Sequence, residues 1–152
     1  LGQGEGALGD ILGGAHGVHL GADDLPLMEA RRLLGPDALV GATCRNVEQL
    51  IEAQAQRADH AGVGPIFETS TKLVNHPPLG LEGFAKVAKA SPIPVIGIAG
   101  ITLQNITGVA KGGAHGAAVG SGLLLAPDIA ERARALQAAF FEGVQERPTL
   151  AP

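Results

Sequence analysis

The chain lacks tryptophan and tyrosine and has four phenylalanines, so it offers few aromatic platforms for stacking bases. Its net charge is −4, which opposes the counterion-releasing contacts that nucleic-acid binding needs. A nucleic-acid partner is therefore not expected. A single cysteine, Cys44, excludes an internal disulfide and disfavours a cysteine metal cluster, and it fits a reducing cytoplasm. No apolar run nears the roughly 18 residues of a membrane helix, and the first residues do not pair a basic segment with an apolar core. No membrane partner is expected either. Charged residues make up only 17% of the chain.

Glycine is what the chain has in excess. There are 23 in 152 residues, about twice the usual share of ~7%. With 45% hydrophobic residues the chain can still bury enough apolar surface to order itself. The glycines follow no collagen period. They flank short apolar runs, where a chain turns tightly or lets another group approach its backbone.

Five such runs stand at Val18–Leu20, Leu39–Ala42, Ala61–Gly64, Pro94–Ile98 and Ala117–Gly120. None alternates apolar with polar residues, so each reads as a strand covered on both faces. Helical segments are expected between them, over Pro26–Leu34, Val47–Arg57, Leu81–Ala90 and Leu103–Lys111. A last helix is expected over Pro127–Gln145, with a loose tail from about residue 146 to 152. Asn46 is placed to cap the second helix, with Gln49 three residues on. Strand and helix alternate five times, which means a parallel sheet with crossover helices. Residues 1–152 read as one domain. An open five-stranded sheet suits the length, whereas a (βα)8 barrel needs about 200–250 residues.

In either architecture, ligands meet the loops that follow the strands. After the first run, Asp23 and Asp24 could hold Mg²⁺ together with substrate phosphates; the plainer reading is that Asp24 caps the next helix. After the second, Thr43 could donate a hydrogen bond to a ligand, and Cys44 reads as packing. After the third comes the longest loop. It carries Thr69, Ser70, Thr71 and Lys72, three hydroxyls and one ammonium suited to clamping an anion, with a solvated loop as the plainer reading. After the fourth and fifth, Ala99-Gly100 and Gly120-Ser121-Gly122 present backbone amides of the kind that bind phosphate. His16, His60 and His115 precede strands, at the end away from the ligand loops. His19 reads as a hydrogen-bonded core residue, and His76 has no evident partner. No histidine spacing supports zinc.

The sequence resembles the thiamine phosphate synthase family. The resemblance rests on Gly17-Val18-His19-Leu20-Gly21 running into Asp23-Asp24-Leu25-Pro26, and on the specific run GVGPIFETSTK from Gly62 to Lys72. It continues in Pro78-Leu79-Gly80-Leu81-Glu82-Gly83, in Pro94 to Thr102 and in Gly113 to Ser121. It implies a (βα)8 TIM barrel of which this chain carries about the last five units, the first three standing upstream. It implies a transferase that joins a hydroxymethylpyrimidine diphosphate to a thiazole phosphate, releasing diphosphate. By the family pattern Asp24 would bind Mg²⁺. Lys72 would meet the diphosphate and Thr43 the reacting pyrimidine. Thr69, Thr71, Gly100, Gly120 and Ser121 would hold the thiazole phosphate. Self-association into a homo-oligomer is compatible with it.

The chain departs from the family pattern at Ala22, where glutamine is common, and at Ala99, where glycine is. It also departs at Gly120, where a larger apolar residue is common, and at Arg45, where histidine stands. A related thiazole tautomerase uses that histidine for proton transfer, and a guanidinium cannot replace it. A non-catalytic phosphate-binding part of a barrel is the other alternative. The pyrimidine-binding residues, the further lysine and the second Mg²⁺ aspartate of the family's first three strands have no counterpart here.

Overall fold

A computed structural model describes residues 15–69 and 77–147. Five strands, β1 (Gly17–Leu20), β2 (Leu39–Cys44), β3 (His60–Val63), β4 (Val95–Ile98) and β5 (Gly116–Ala118), form one sheet in chain order. β1 pairs parallel with β2, and β4 with β5. Among the described residues six helices follow the strands: α1 (Leu27–Leu34), α2 (Val47–Ala55), α3 (Gly80–Lys89), α4 (Ile106–Lys111), α5 (Ser121–Leu124) and α6 (Ile129–Gln145). The chain is thus an α/β fold with a parallel five-stranded sheet. None of the described helices is long and apolar enough to cross a membrane. Two compact units are distinguished, one running to Gly62 and including Ser91–Pro94, the other made of Val63–Ala90 and the residues from Val95 on.

In the first unit the β1 and β2 side chains divide by parity. Val18, Leu20 and Val40 are buried with Ala30 of α1, and Leu25, Leu27 and Leu34 pack around them. His19 points the other way and is exposed, so the core position expected for it is not found. Asn46 caps α2 as expected, its side chain accepting from the Gln49 N–H at 2.8 Å. The Gln49 side chain accepts from Arg45 N–H, one residue before the cap. Cys44 is 2% exposed; burial, and after it the charge of Glu52, push its thiol up to about 11.

The turns from helix to strand are organised by Arg31, which is 8% exposed. Its guanidinium donates to the carbonyls of Ala38 (2.5 Å) and Arg57 (2.8 Å) and to Asp59 Oδ2 (2.6 Å). The same carboxylate oxygen accepts from Val40 N–H at 2.7 Å. One cation therefore satisfies the carbonyls that end two helical units, and its partner fixes the start of β2. Partial burial by itself would raise the Asp59 carboxyl. The Val40 and Arg31 hydrogen bonds and the charges of Arg31 and His60 outweigh it and hold the group below the usual carboxylate range.

In the second unit α6 docks on α4. The Thr107 hydroxyl donates to the Ala139 carbonyl at 3.1 Å, and Gly143 packs against the Thr107 carbonyl. The tail expected from residue 146 is held at its first two positions: Glu146 pairs with Lys111, and Arg147 donates to the carbonyls of Ala110 and Ala114. Residues 148–152 lie outside the described ones. The α5 helix was not foreseen. The helix expected from Leu103 begins only at Ile106, because Asn105 uses its side chain to hold the preceding turn. β5 ends at Ala118, two residues earlier than its apolar run.

Replacing Arg31 by Met is expected to cost about 2–3 kcal/mol in chemical denaturation, the lower end for a broken buried pair because Asp59 keeps some water. The Asp59 carboxyl is depressed in the folded state. Its contribution is therefore full above the unfolded carboxyl's pKa of about 3.9 and disappears as pH falls through the folded value. Asp59→Asn should remove that segment of the pH–stability curve. Native Cys44 is expected to stay unmodified by a disulfide exchange reagent at pH 8 and to react only on unfolding.

Candidate functional site

In the first unit, the loop after β1 turns on Asp24. Its Oδ2 accepts from the Gly21 N–H at 2.7 Å, which closes the Gly21–Asp24 turn. Its Oδ1 is buried and has no hydrogen-bond partner among the described residues. Asp24 is not the cap of α1, which begins after Pro26 with no side-chain cap. A carboxylate oxygen removed from water and left without a donor is costly, and a cation is the partner it fits. Among the described residues no three His, Cys, Asp or Glu side chains converge as a metal cluster. Mg²⁺ does not require one, since it binds through one or two carboxylates together with substrate phosphates.

Thr43 lies near the end of β2, half-buried, with its hydroxyl oxygen 3.1 Å from His19 Nε2. His60 opens β3, and its ring reaches back to His19, Nε2 to Nδ1 at 3.3 Å. It stands at the start of its strand, as its sequence position implies, and is linked to Thr43 through His19. Partial desolvation of its ring lowers the His19 pKa and His60 lowers it further, with Asp24 acting in the other direction. His115 does remain at the far end, its Nδ1 accepting from the Val95 N–H.

In the second unit three loops are packed together by two glycines. The segment after β3 contains the cis Gly64-Pro65 bond and is tied to the end of β4 by Ile66 N–H to the Ile98 carbonyl (3.0 Å). Phe67 N–H to the Ala99 carbonyl (3.3 Å) adds a second tie. The return of the long loop is pinned to the same segment by Leu79 N–H to Pro65 O and Gly80 N–H to Ile66 O. Thr69 stands on this segment; Thr71 and Lys72 lie outside the described residues, as do Ser70 and His76.

Gly100 sits under the segment, where a Cβ would come within 2.5 Å of the Glu68 carbonyl oxygen and 2.6 Å of Phe67 Cβ. Gly122 meets the same turn from the β5 side, where a Cβ would stand 2.7 Å from the Ile101 carbonyl oxygen. Gly120 and Ser121 are exposed, and nothing lies within 4 Å of where a Gly120 side chain would begin. The first N–H groups of α5 have no partner within the helix. Thr69, Gly100, Gly120 and Ser121 are thus carried on adjoining loops.

Sequence reasoning missed Asn105. Its Oδ1 accepts from Thr102 N–H (2.8 Å) and its amide donates to Gly100 O (3.0 Å), so it holds the turn. The Thr102-x-x-Asn105 spacing at a helix start was the available signal.

Ala99 and Gly100 both have positive φ, 71° and 67°. This backbone costs a non-glycine residue roughly 1–2 kcal/mol, while glycine there loses about 0.5–1 kcal/mol in chain entropy. Ala99→Gly is expected to raise stability by about 0.5–1 kcal/mol in a denaturation titration. Gly100→Ala, which has no room for its methyl, is expected to lower it by about 2 kcal/mol or more.

Residues 10–123 match the family model described as thiamine monophosphate synthase. The chain is 55% identical over 133 residues to the thiamine-phosphate synthase of Myxococcus xanthus (strain DK1622), covering 88% of this chain and 61% of that one. It is 52% identical to that of Anaeromyxobacter dehalogenans (strain 2CP-C), covering 88% and 60%. The solved thiamine phosphate pyrophosphorylase from Pyrococcus furiosus superposes with a TM-score of 0.80 at 31% identity, over 91% of this chain and 65% of that one. The chain spans about three-fifths of the length of these curated relatives. With its strand order, its glycine-packed loops and this match over three quarters of its length, the chain belongs to the thiamine monophosphate synthase family.

Proposed function

We propose that this chain is the later part of a thiamine phosphate synthase, a transferase of thiamine biosynthesis working in the cytoplasm on two small phosphate substrates. In this reading residues 1–152 are one incomplete domain, about five units of a (βα)8 barrel. The observation that carries the reading is the packing of the β3, β4 and β5 loops at Gly100 and Gly122. That packing groups Thr69 with the amides near Gly100, Gly120 and Ser121, a set of donors suited to a phosphate monoester.

The reaction is a substitution at carbon. The bond from the pyrimidine's methylene carbon to the diphosphate oxygen breaks, and its electron pair leaves with the diphosphate. The thiazole nitrogen then gives its lone pair to the carbon, forming a thiazolium. Charge develops on the leaving oxygen, so catalysis consists of placing donors and cations there. Lys72 supplies a point charge to the diphosphate, and Thr43 a hydroxyl beside the pyrimidine. Thr69, Thr71, Gly100, Gly120 and Ser121 hold the thiazole phosphate at attacking distance. Asp24 would hold Mg²⁺ through its unpartnered Oδ1, and the bound ion would supply positive charge to the departing diphosphate.

The full-length protein should release diphosphate only when both the pyrimidine diphosphate and the thiazole phosphate are present. Lys72→Ala is expected to lower turnover by ~100-fold or more. Turnover of the thiazole phosphate alone would favour a tautomerase. Phosphate binding without turnover would favour a non-catalytic barrel part. A near-normal Lys72→Ala enzyme would mean that the clamp is elsewhere.

A further inference from the structure

On the strand face opposite the α1 core, three side chains stand in one row: Thr43, His19 and His60. His19 is bonded at both ring nitrogens, Nε2 to the Thr43 hydroxyl (3.1 Å) and Nδ1 to His60 Nε2 (3.3 Å). The two imidazoles are tilted by 33° with centroids 5.4 Å apart. The row exists because Gly41 pairs with His19 in the sheet and carries no side chain; a Cβ there would overlap both rings.

Two imidazole nitrogens this close cannot both present lone pairs, so one donates and the other accepts. Desolvation of the ring and the neighbouring His60 lower the His19 pKa, and in its neutral form His19 has one N–H and one lone pair to distribute. The direction of the whole row follows from which nitrogen holds that proton. If His60 donates to His19 Nδ1, then His19 Nε2–H donates to Thr43 Oγ, and the Thr43 hydrogen is free to turn toward a ligand. In the opposite direction Thr43 donates to His19 and offers a ligand only lone pairs. The pyrimidine beside Thr43 carries its diphosphate on the reacting methylene carbon, and the diphosphate oxygens offer only acceptors, so the first direction alone serves them. The charged groups that bear on the row are Asp24 from the loop after β1 and Asp59 from the turn before β3, the latter paired with Arg31.

We propose that His60 is a positioning residue that holds His19 in its Nε2–H tautomer, so that the Thr43 hydroxyl presents its hydrogen to an oxygen of the diphosphate substrate. This deepens the functional reading above and rests on it. His60 touches no substrate itself; it acts through His19.

The test uses the full-length protein with ¹⁵N-labelled histidine, and long-range proton–nitrogen NMR to read the tautomer of His19. Wild type is expected to show the proton on Nε2. In His60→Leu, which removes the donor, His19 should become a mixture of tautomers and kcat should fall about tenfold, the scale of one lost hydrogen bond. In His60→Gln, whose amide nitrogen can donate from a similar reach, the Nε2–H tautomer and most of kcat should return. A wild-type His19 protonated on Nδ1 would overturn the proposal, as would a His19 tautomer unchanged in His60→Leu. If wild type releases no diphosphate with the two substrates, the functional reading fails. The NMR result then still decides the direction of the row.

Discussion

Backbone laid directly on backbone is the constraint on which the loops after β3, β4 and β5 in the second unit depend. At Gly100 the chain passes under the Glu68 carbonyl, and at Gly122 it passes against the Ile101 carbonyl, with no space for a single methyl at either place. A side chain of any size would separate the three loops and spread the donors they carry. Volume is the requirement at Gly122, whereas Gly100 also needs its left-handed backbone. The same economy of space recurs at Gly41 in the first unit, where the missing side chain lets two imidazoles meet. The high glycine content is thus a record of close approaches as much as of turns. Gly120 is a different case: its surroundings are open, so its lack of a side chain leaves room beside the amides that follow.

The two ends of the first unit's strands carry charge for different purposes. Where helices turn into strands, Arg31 pairs with Asp59 and donates to the carbonyls of Ala38 and Arg57, while Asp59 accepts from the Val40 N–H. Where strands turn into helices, Asp24 has a buried oxygen with no partner among the described residues. A closed network stabilises a fold and offers nothing to a ligand. An open valence is costly until a ligand completes it. This division matches the general pattern of parallel α/β proteins, in which function gathers at the strand ends and stability at their starts.

The alternation of strands and helices was legible because each apolar run is short and bounded by glycine or a capping residue, as at Asn46. The four-residue α5 was not, since one turn shows no period. Nothing in the sequence marks Arg31, because its carboxylate partner Asp59 and the Arg57 carbonyl lie 28 and 26 residues away. The row of His19, Thr43 and His60 was hidden for a related reason. Val18, His19 and Leu20 read as one apolar run, but their side chains alternate, and only the pairing of β1 with β2 reveals what His19 faces. Thr69, Gly100, Gly120 and Ser121 were marked by their place after strands, by their hydroxyls and glycine turns and by the family resemblance, and the adjoining of their loops is what the structure adds.

Ala99 shows how firmly those loops are determined. Alanine resists a φ of 71° by roughly 1–2 kcal/mol, yet the turn keeps it. The ties on either side are enough to do so. Phe67 N–H bonds the Ala99 carbonyl, Ile66 N–H bonds the carbonyl just before it, and the Asn105 amide holds the carbonyl of Gly100. Three hydrogen bonds at about 1 kcal/mol each exceed the strain. The conformation of the turn therefore belongs to the packed loops and not to the residue at its centre. Local strain persists only where the surroundings over-determine it. Here they hold two consecutive left-handed residues in place at the end of β4.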